Sequence, residues 1–218
     1  MKLGFTVRRS EVVALALIVA SAAVGAYFYP QLPERIASHW NAAGQVDGYM
    51  SKFAGLVVLP LVSFGVLLLL VVVPRVDPLR ANIEVFRRYY DWLVVLLIAF
   101  LSYVYLLTII WNLSTGFEIL QFLAPAVGVL FYFIGILMGQ SKRNWSIGIR
   151  TPWTLSSDRV WEATHKLGGK LFKVAGVVAV LGAFFPESTV LFIVVPVLFV
   201  AAYTTAFSYA EYRKEKKE

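Results

Sequence analysis

The 218-residue chain has no cysteine, only two histidines, and 13 acidic residues against 20 basic ones. Without cysteine there can be no disulfide, no zinc–thiolate site and no thiol catalysis. A further scarcity lies inside the long apolar runs: apart from Lys173, no Asp, Glu, Lys or Arg falls deep within one. Lys173 can snorkel to the nearest edge. The remaining polar side chains of the runs include Ser63, Ser102, Thr108 and Gln121. An ion-coupled transporter usually needs a buried ionisable group, so this absence argues against one. Nor does any pattern place a nucleophile beside a base, which argues against an enzyme.

What is abundant is apolar surface. With 59% hydrophobic residues and a mean hydropathy of +0.73, the chain is too apolar for a soluble fold and is expected to be an integral membrane protein. Six spans are predicted: Val12 to Tyr29, Phe53 to Val73, Trp92 to Leu113, Ile119 to Gly139, Leu171 to Phe185 and Val190 to Tyr209. The first, preceded by Lys2, Arg8 and Arg9, imitates a signal peptide, yet its run exceeds a usual apolar core and is read as an uncleaved span. The net charge of +7 comes from Lys and Arg in the short segments between runs, where they act as topology signals, so no direct nucleic-acid partner is expected. Only Arg35 and Lys52 fall on the side opposite the rest. The bias predicts a multi-pass protein of the cell membrane with both termini cytoplasmic.

The expected fold is therefore all-α: six transmembrane helices in three hairpins, a small extracellular loop with a β-hairpin, and a cytoplasmic amphipathic helix. The outer connections are Pro30 to Lys52, Ser114 to Glu118 and Pro186 to Thr189. In the first, strands over Ile36 to Trp40 and Gln45 to Tyr49 are predicted around Asn41-Ala42-Ala43-Gly44, with Gly44 free to take positive φ. Pro60, Pro125 and Pro196 lie at similar depth in the returning helices. They either splay the outer half around a vestibule or are the ordinary prolines of membrane helices.

The longest polar interruption runs from Asn144 to Phe172. Ile147 to Pro152 reads as extended or turn-like, because Pro152 fixes its own φ and pushes Thr151 out of the helical region. A helix is predicted from a cap near Ser156, with Asp158 in its first turn. Val160, Trp161, Thr164, Leu167 and Leu171 share one face, which suits a membrane surface. The fifth span is short and is expected to continue this helix. Gly168-Gly169 either breaks it or admits a close neighbour.

The run GIRTPWTLSS-D-x-VWxxTHKxGGKL resembles the signature of the SdpI-like membrane immunity protein family, named for immunity to a secreted sporulation-delaying peptide toxin. His39-Trp40-Asn41-Ala42-Ala43-Gly44-Gln45-Val46-Asp47-Gly48 resembles the HWNxxGxxD motif of a domain of unknown function that commonly precedes it. The resemblance implies two modules: residues 1–74, a two-span unit with the outer loop, and 75–218, a four-span unit with the cytoplasmic motif. It implies a non-enzymatic immunity or sensor protein, with a secreted peptide toxin as outer partner and a cytoplasmic transcriptional repressor as captured partner. The alternatives are a small transporter or a protein binding a lipid or apolar solute, and an enzyme acting on lipid head groups through His165 with Glu162 or Arg150.

Two clusters are the candidate sites. The cytoplasmic motif offers Asn144, Gly148, Arg150, Thr151, Pro152, Trp153, Trp161 and His165. Arg150 is read either as a positioned fork for a phosphate or carboxylate or as a topology charge. Trp161 and His165, four apart, share a helix face, where His165 reports pH or fills a polar gap. The outer loop offers His39, Trp40, Asn41, Gly44 and Asp47. There His39 and Asp47 form a metal or acid–base pair, or His39 and Trp40 anchor at the headgroups while Asn41 and Asp47 bond their own turn. No metal and no cofactor are expected, since a bilayer of ~30 Å separates His39 from His165. Glu84 and Arg88 are predicted to pair at i, i+4, and Asp91 to meet a basic residue of the 144–172 segment. Membrane lipids are partners of any such chain.

Overall fold

The computed structural model describes residues 7–114 and 117–218. Lys2, and residues 115 and 116 of the expected turn, lie outside these. The elements run α1 (Arg9–Phe28), β1 (Arg35–Trp40), β2 (Val46–Ser51), α2 (Lys52–Val76), α3 (Arg80–Val85), α4 (Arg87–Ser114), α5 (Ile119–Met138), α6 (Pro152–Ser156), α7 (Asp158–Leu181) and α8 (Thr189–Glu215). Among the described residues six helices are long and apolar enough to cross a membrane, namely α1, α2, α4, α5, α7 and α8. The protein is a multi-pass, helical membrane protein carrying one two-stranded antiparallel sheet.

Two compact units divide the chain. The first comprises the described residues up to Val71 with those of Val94–Ile119, the second Val72–Leu93 with Leu120–Glu218.

In the first unit, Leu32, Ile36, Leu56, Tyr105 and Ile109 form a buried core beneath the β1–β2 hairpin. Pro60 explains one contact there. Having no N–H, it leaves the Leu56 carbonyl without its helical partner. The Tyr105 hydroxyl donates to that oxygen at 3.1 Å. The ring needs room against α1, and Gly25 provides it: a Cβ there would lie 1.8 Å from the Tyr105 Oη. One tyrosine thus joins α1, α2 and α4. The hairpin is tied to α4 by Asn112, whose Oδ1 accepts from the Ala37 N–H (2.7 Å) and whose Nδ2 donates to the Ala37 carbonyl (3.0 Å). The Asn112 amide thereby stands in for the next strand of the sheet.

In the second unit, α5 and α7 meet backbone to backbone. A Cβ on Gly128 would lie 2.6 Å from the Gly176 carbonyl, and one on Gly135 2.5 Å from that of Gly169. The reverse approaches, Gly176 to Gly128 O and Gly169 to Gly135 O, are 2.6 and 2.7 Å. Of the alternatives for Gly168-Gly169, close approach is the one realised, and the helix runs unbroken through the pair. The amphipathic stretch and the fifth span are one helix. Its face of Val160, Trp161, Thr164 and His165 is buried in the protein rather than laid on a membrane surface. Around Gly168 the neighbours are Ile149, Met138 and Thr204. The α7–α8 turn closes on Gly182, whose carbonyl takes the Thr189 hydroxyl at 3.0 Å.

Three local expectations are corrected. The cap of α7 is Ser157, whose Oγ accepts from the Val160 N–H at 3.2 Å; Ser156 ends α6 instead. Asp91 pairs with Arg87 at 2.8 Å, one turn away on its own helix, and not with the 144–172 segment. Glu84 approaches Arg87 at 3.6 Å, because Phe86 interrupts the helix and shifts the pairing from Arg88.

Candidate functional site

The segment between α5 and α7 is built around two buried side chains. Asn144 is fully buried and organises the entry. Its Oδ1 accepts from the N–H groups of Ser146 (2.9 Å) and Ile147 (2.6 Å), and its Nδ2 donates to the carbonyls of Lys142 (2.8 Å) and Ile147 (3.1 Å). A short amide side chain closing its own backbone in this way sets a turn without needing a helix or strand.

His165 organises the exit. It is 1% exposed and stacks on Trp161 with centroids 3.9 Å apart and planes at 15°. Its Nδ1 faces the Trp161 carbonyl at 2.8 Å and its Nε2 accepts from the Ile149 N–H at 2.9 Å. A carbonyl can only accept and an amide only donate, so these partners assign the proton to Nδ1 and leave the ring neutral. Gly148, with φ +116°, makes the approach possible, because a Cβ there would lie 2.4 Å from Nε2. Trp161 also donates through Nε1 to the Ser141 carbonyl at 3.2 Å. The tryptophan–histidine pair therefore ties α7 to both ends of the Ser141 to Ile149 stretch.

Pro152 opens the short helix α6 as its first residue, where a missing N–H costs nothing, and Thr151 caps it in an extended conformation. Thr151 Oγ1 accepts from the Thr154 N–H (3.2 Å), and Thr154 Oγ1 from the Thr151 N–H (2.9 Å), a reciprocal cap. The Thr151 hydroxyl meets that of Ser208 on α8 at 3.0 Å, and Trp153 packs on Tyr209. Arg150 is exposed, and its Nη1 donates to the Trp145 carbonyl at 2.8 Å. All eight residues of the motif thus fall in one cap, held by these hydrogen bonds together with the Trp153–Tyr209 ring contact and the close approach of Gly148 to His165. Arg150 and the half-exposed Trp145 lie on its surface, with Asn144, Trp161 and His165 inside.

The sequence reading missed the groups that hold this cap from below. Asp77, 4% exposed, accepts from the Leu79 N–H (2.7 Å), the Trp145 N–H (3.0 Å) and the Ser146 hydroxyl. Asn82 donates to the Arg143 carbonyl at 2.7 Å. The Trp145 peptide is consequently held on both sides, its N–H by Asp77 and its carbonyl by Arg150. A signal was present in Asp77-Pro78, an aspartate placed to bond its own turn, although its distant partner was not visible. Beside the cap, Asn82, Lys142, Arg143, Asp158, Trp161 and Glu162 line a polar pocket of about 270 Å3. Arg143 bonds Asp158 at 2.6 Å and Lys142 reaches Glu162 at 3.4 Å. At the start of α7, Ser157 donates to Glu215 at 2.9 Å and Arg159 pairs with Glu218. That guanidinium, hydrogen-bonding and attracting the carboxylate, holds Glu218 below its ordinary pKa.

The second candidate cluster lies on the hairpin of the first unit. Gly44 takes φ +75°, and Asn41 Oδ1 accepts from the N–H groups of Ala43 (2.9 Å) and Gln45 (3.0 Å). Of the two readings of Asp47, the pair is the one formed: its Oδ1 lies 2.5 Å from His39 Nδ1 on the exposed surface. Trp40 packs edge-on against Trp111 at 5.4 Å. Among the described residues no group of three or more His, Cys, Asp or Glu is placed to hold a metal ion.

Comparison with known proteins finds a match over each of the two segments that carry these clusters. Residues 140–208 match the SdpI/YfhL protein family, and residues 16–64 match a domain of unknown function (DUF1648). Over 207 residues the chain is 26% identical to "Immunity protein SdpI" of Bacillus subtilis (strain 168), covering 94% of this chain and 97% of that protein. No solved structure matches it significantly. Nearly the whole of this membrane protein is thus similar to SdpI, and the hydrogen-bonded cap around Asn144 and His165 lies inside the segment that matches the SdpI/YfhL family.

Proposed function

We propose that this chain is a membrane immunity protein, protecting the cell that carries it against a secreted, membrane-active peptide. The observation that carries the reading is the end-to-end similarity to the Bacillus immunity protein, 94% of one chain against 97% of the other. In this reading both termini are cytoplasmic, the His39 to Asp47 hairpin faces the toxin, and the cap over Asn144 to His165 faces the cytoplasm. The cap is the working surface for a captured transcriptional repressor. Arg150 supports this role, since it is exposed while its backbone is fixed by the Thr151–Thr154 cap on one side and the Ile149–His165 bond on the other. A fixed guanidinium makes forked contacts that lysine cannot reproduce.

The test is to challenge cells expressing the chain with a panel of antimicrobial peptides, together with solute-flux measurements in liposomes. Protection without flux is expected. Arg150→Lys should insert normally and lose capture of the repressor, whereas Arg88→Lys retains it. Flux without protection would replace immunity by transport, and unimpaired repressor capture by Arg150→Lys would reduce Arg150 to a topology charge.

A further inference from the structure

In the first unit an apolar cleft of about 710 Å3 opens along α1 and the start of α2. Its size lies within the roughly 300–1,000 Å3 of small-molecule sites. The lining runs along α1 from Leu15 to Ala26, a rise of about 16 Å at 1.5 Å per residue, and continues to Tyr29 just past the end of the helix. That exceeds one leaflet of a hydrocarbon core ~30 Å thick. Ala22 and Ala26 give the cleft its depth, and Pro60 is the one helix proline of the three that lines it. Of its hydroxyls, that of Tyr105 is engaged by the Leu56 carbonyl, so the deep walls suit plain hydrocarbon.

One end carries charge. Tyr29 and Phe53 line the cleft there, and the Lys52 ammonium sits 4.6 Å from the Tyr29 ring centroid. The Lys52 side chain is 12% exposed, while its carboxylate partner Glu34, at 2.9 Å, is 89% exposed and free to swing away. Arg35 adds a second exposed cation on this stretch. These are also the two basic residues that run against the charge asymmetry of the chain, which a topology signal does not explain.

We propose that the cleft holds one acyl chain of an anionic phospholipid, with the phosphate against Lys52 at its mouth. This inference is independent of the immunity reading. It is tested on the full chain, purified in mild detergent, by native mass spectrometry with phosphatidylglycerol and phosphatidylcholine at equal concentration. The wild type should retain one phosphatidylglycerol in preference. Lys52→Gln should reduce that preference about tenfold, the scale of one charge-assisted hydrogen bond. Glu34→Gln should strengthen retention, because it removes the competing carboxylate; if Lys52 served only to pair Glu34, retention would not change. Ala26→Phe should fill the cleft and abolish retention of either lipid, and the smaller Ala22→Val should weaken it without threatening the fold. Equal retention of the two lipids by the wild type, or retention unaltered by both alanine substitutions, would overturn the proposal. So would stoichiometric capture of an amphipathic peptide that phosphatidylglycerol fails to displace.

Discussion

Replacing Tyr105 by phenylalanine removes a single oxygen, and the structure says what that oxygen is for. The Leu56 carbonyl it satisfies at 3.1 Å would otherwise take the amide of residue 60, which Pro60 lacks. Tyr105 is 2% and Leu56 8% exposed, so water does not substitute. A buried carbonyl left unpaired costs roughly 1–3 kcal/mol, whereas interhelical hydrogen bonds in membrane proteins average about 0.6 and reach about 1.7 kcal/mol. The lower average arises because freed groups find other partners, and here the nearest one is missing. We therefore expect Tyr105→Phe to destabilise by about 1–2 kcal/mol, near the upper membrane value. Pro60→Ala supplies the absent amide, so in that background the same substitution should cost only about 0.5 kcal/mol or less. A two-by-two cycle read by equilibrium unfolding in mixed micelles isolates the coupling from any effect of Pro60→Ala alone. Equal losses from Tyr105→Phe in the two backgrounds would refute the link between the proline and the hydroxyl.

Two further outcomes follow from the same kind of pairing. Asn112→Leu orphans both the N–H and the carbonyl of Ala37, a fully buried residue, at a cost of about 2–4 kcal/mol. Amide exchange at Ala37 should accelerate accordingly, with Asn112→Asp, which keeps the acceptor and loses the donor, falling between. For Glu218, a carboxyl held low by Arg159 favours the closed tail while ionised and loses that preference as pH falls through the lowered value. A nitroxide at Lys217 should therefore gain mobility below about pH 4, the ordinary carboxylate range. Its mobility should already be high at neutral pH in Arg159→Gln.

The spans were legible because a run of apolar residues long enough to cross a bilayer admits few other readings, and Gly44 marked the hairpin because its turn demands positive φ. Legibility failed wherever a residue's partner is remote. Asp77 reaches Trp145 across 68 positions of sequence, and nothing local distinguishes it from any aspartate before a proline. The cap of α7 was misplaced by one residue because Ser156 and Ser157 are equally good caps, and the unforeseen helix α6 consumed the first. Arg87 took both acidic neighbours because the break at Phe86 reset the helical phase, which charge spacing alone does not register. The eight motif residues lie in one cap, and which of them face inward was decided by contacts with α7 and α8, which their local spacing does not reveal.

The reciprocal glycines of α5 and α7 bear on how the cap could ever be exchanged. These are the two helices that the Ser141 to Ser157 stretch connects, and at Gly128, Gly135, Gly169 and Gly176 each leaves less than 3 Å for a methyl group on the other. The endpoints of the cap are thereby fixed to within the tolerance of a backbone contact. A chimera that grafts a foreign cap onto both helices keeps the span its donor was shaped for only if the donor's helices cross equally closely. Swapping α7 alone would introduce side chains where the other helix's carbonyls already stand. The cap is transferable only as a cassette with both of its flanking helices.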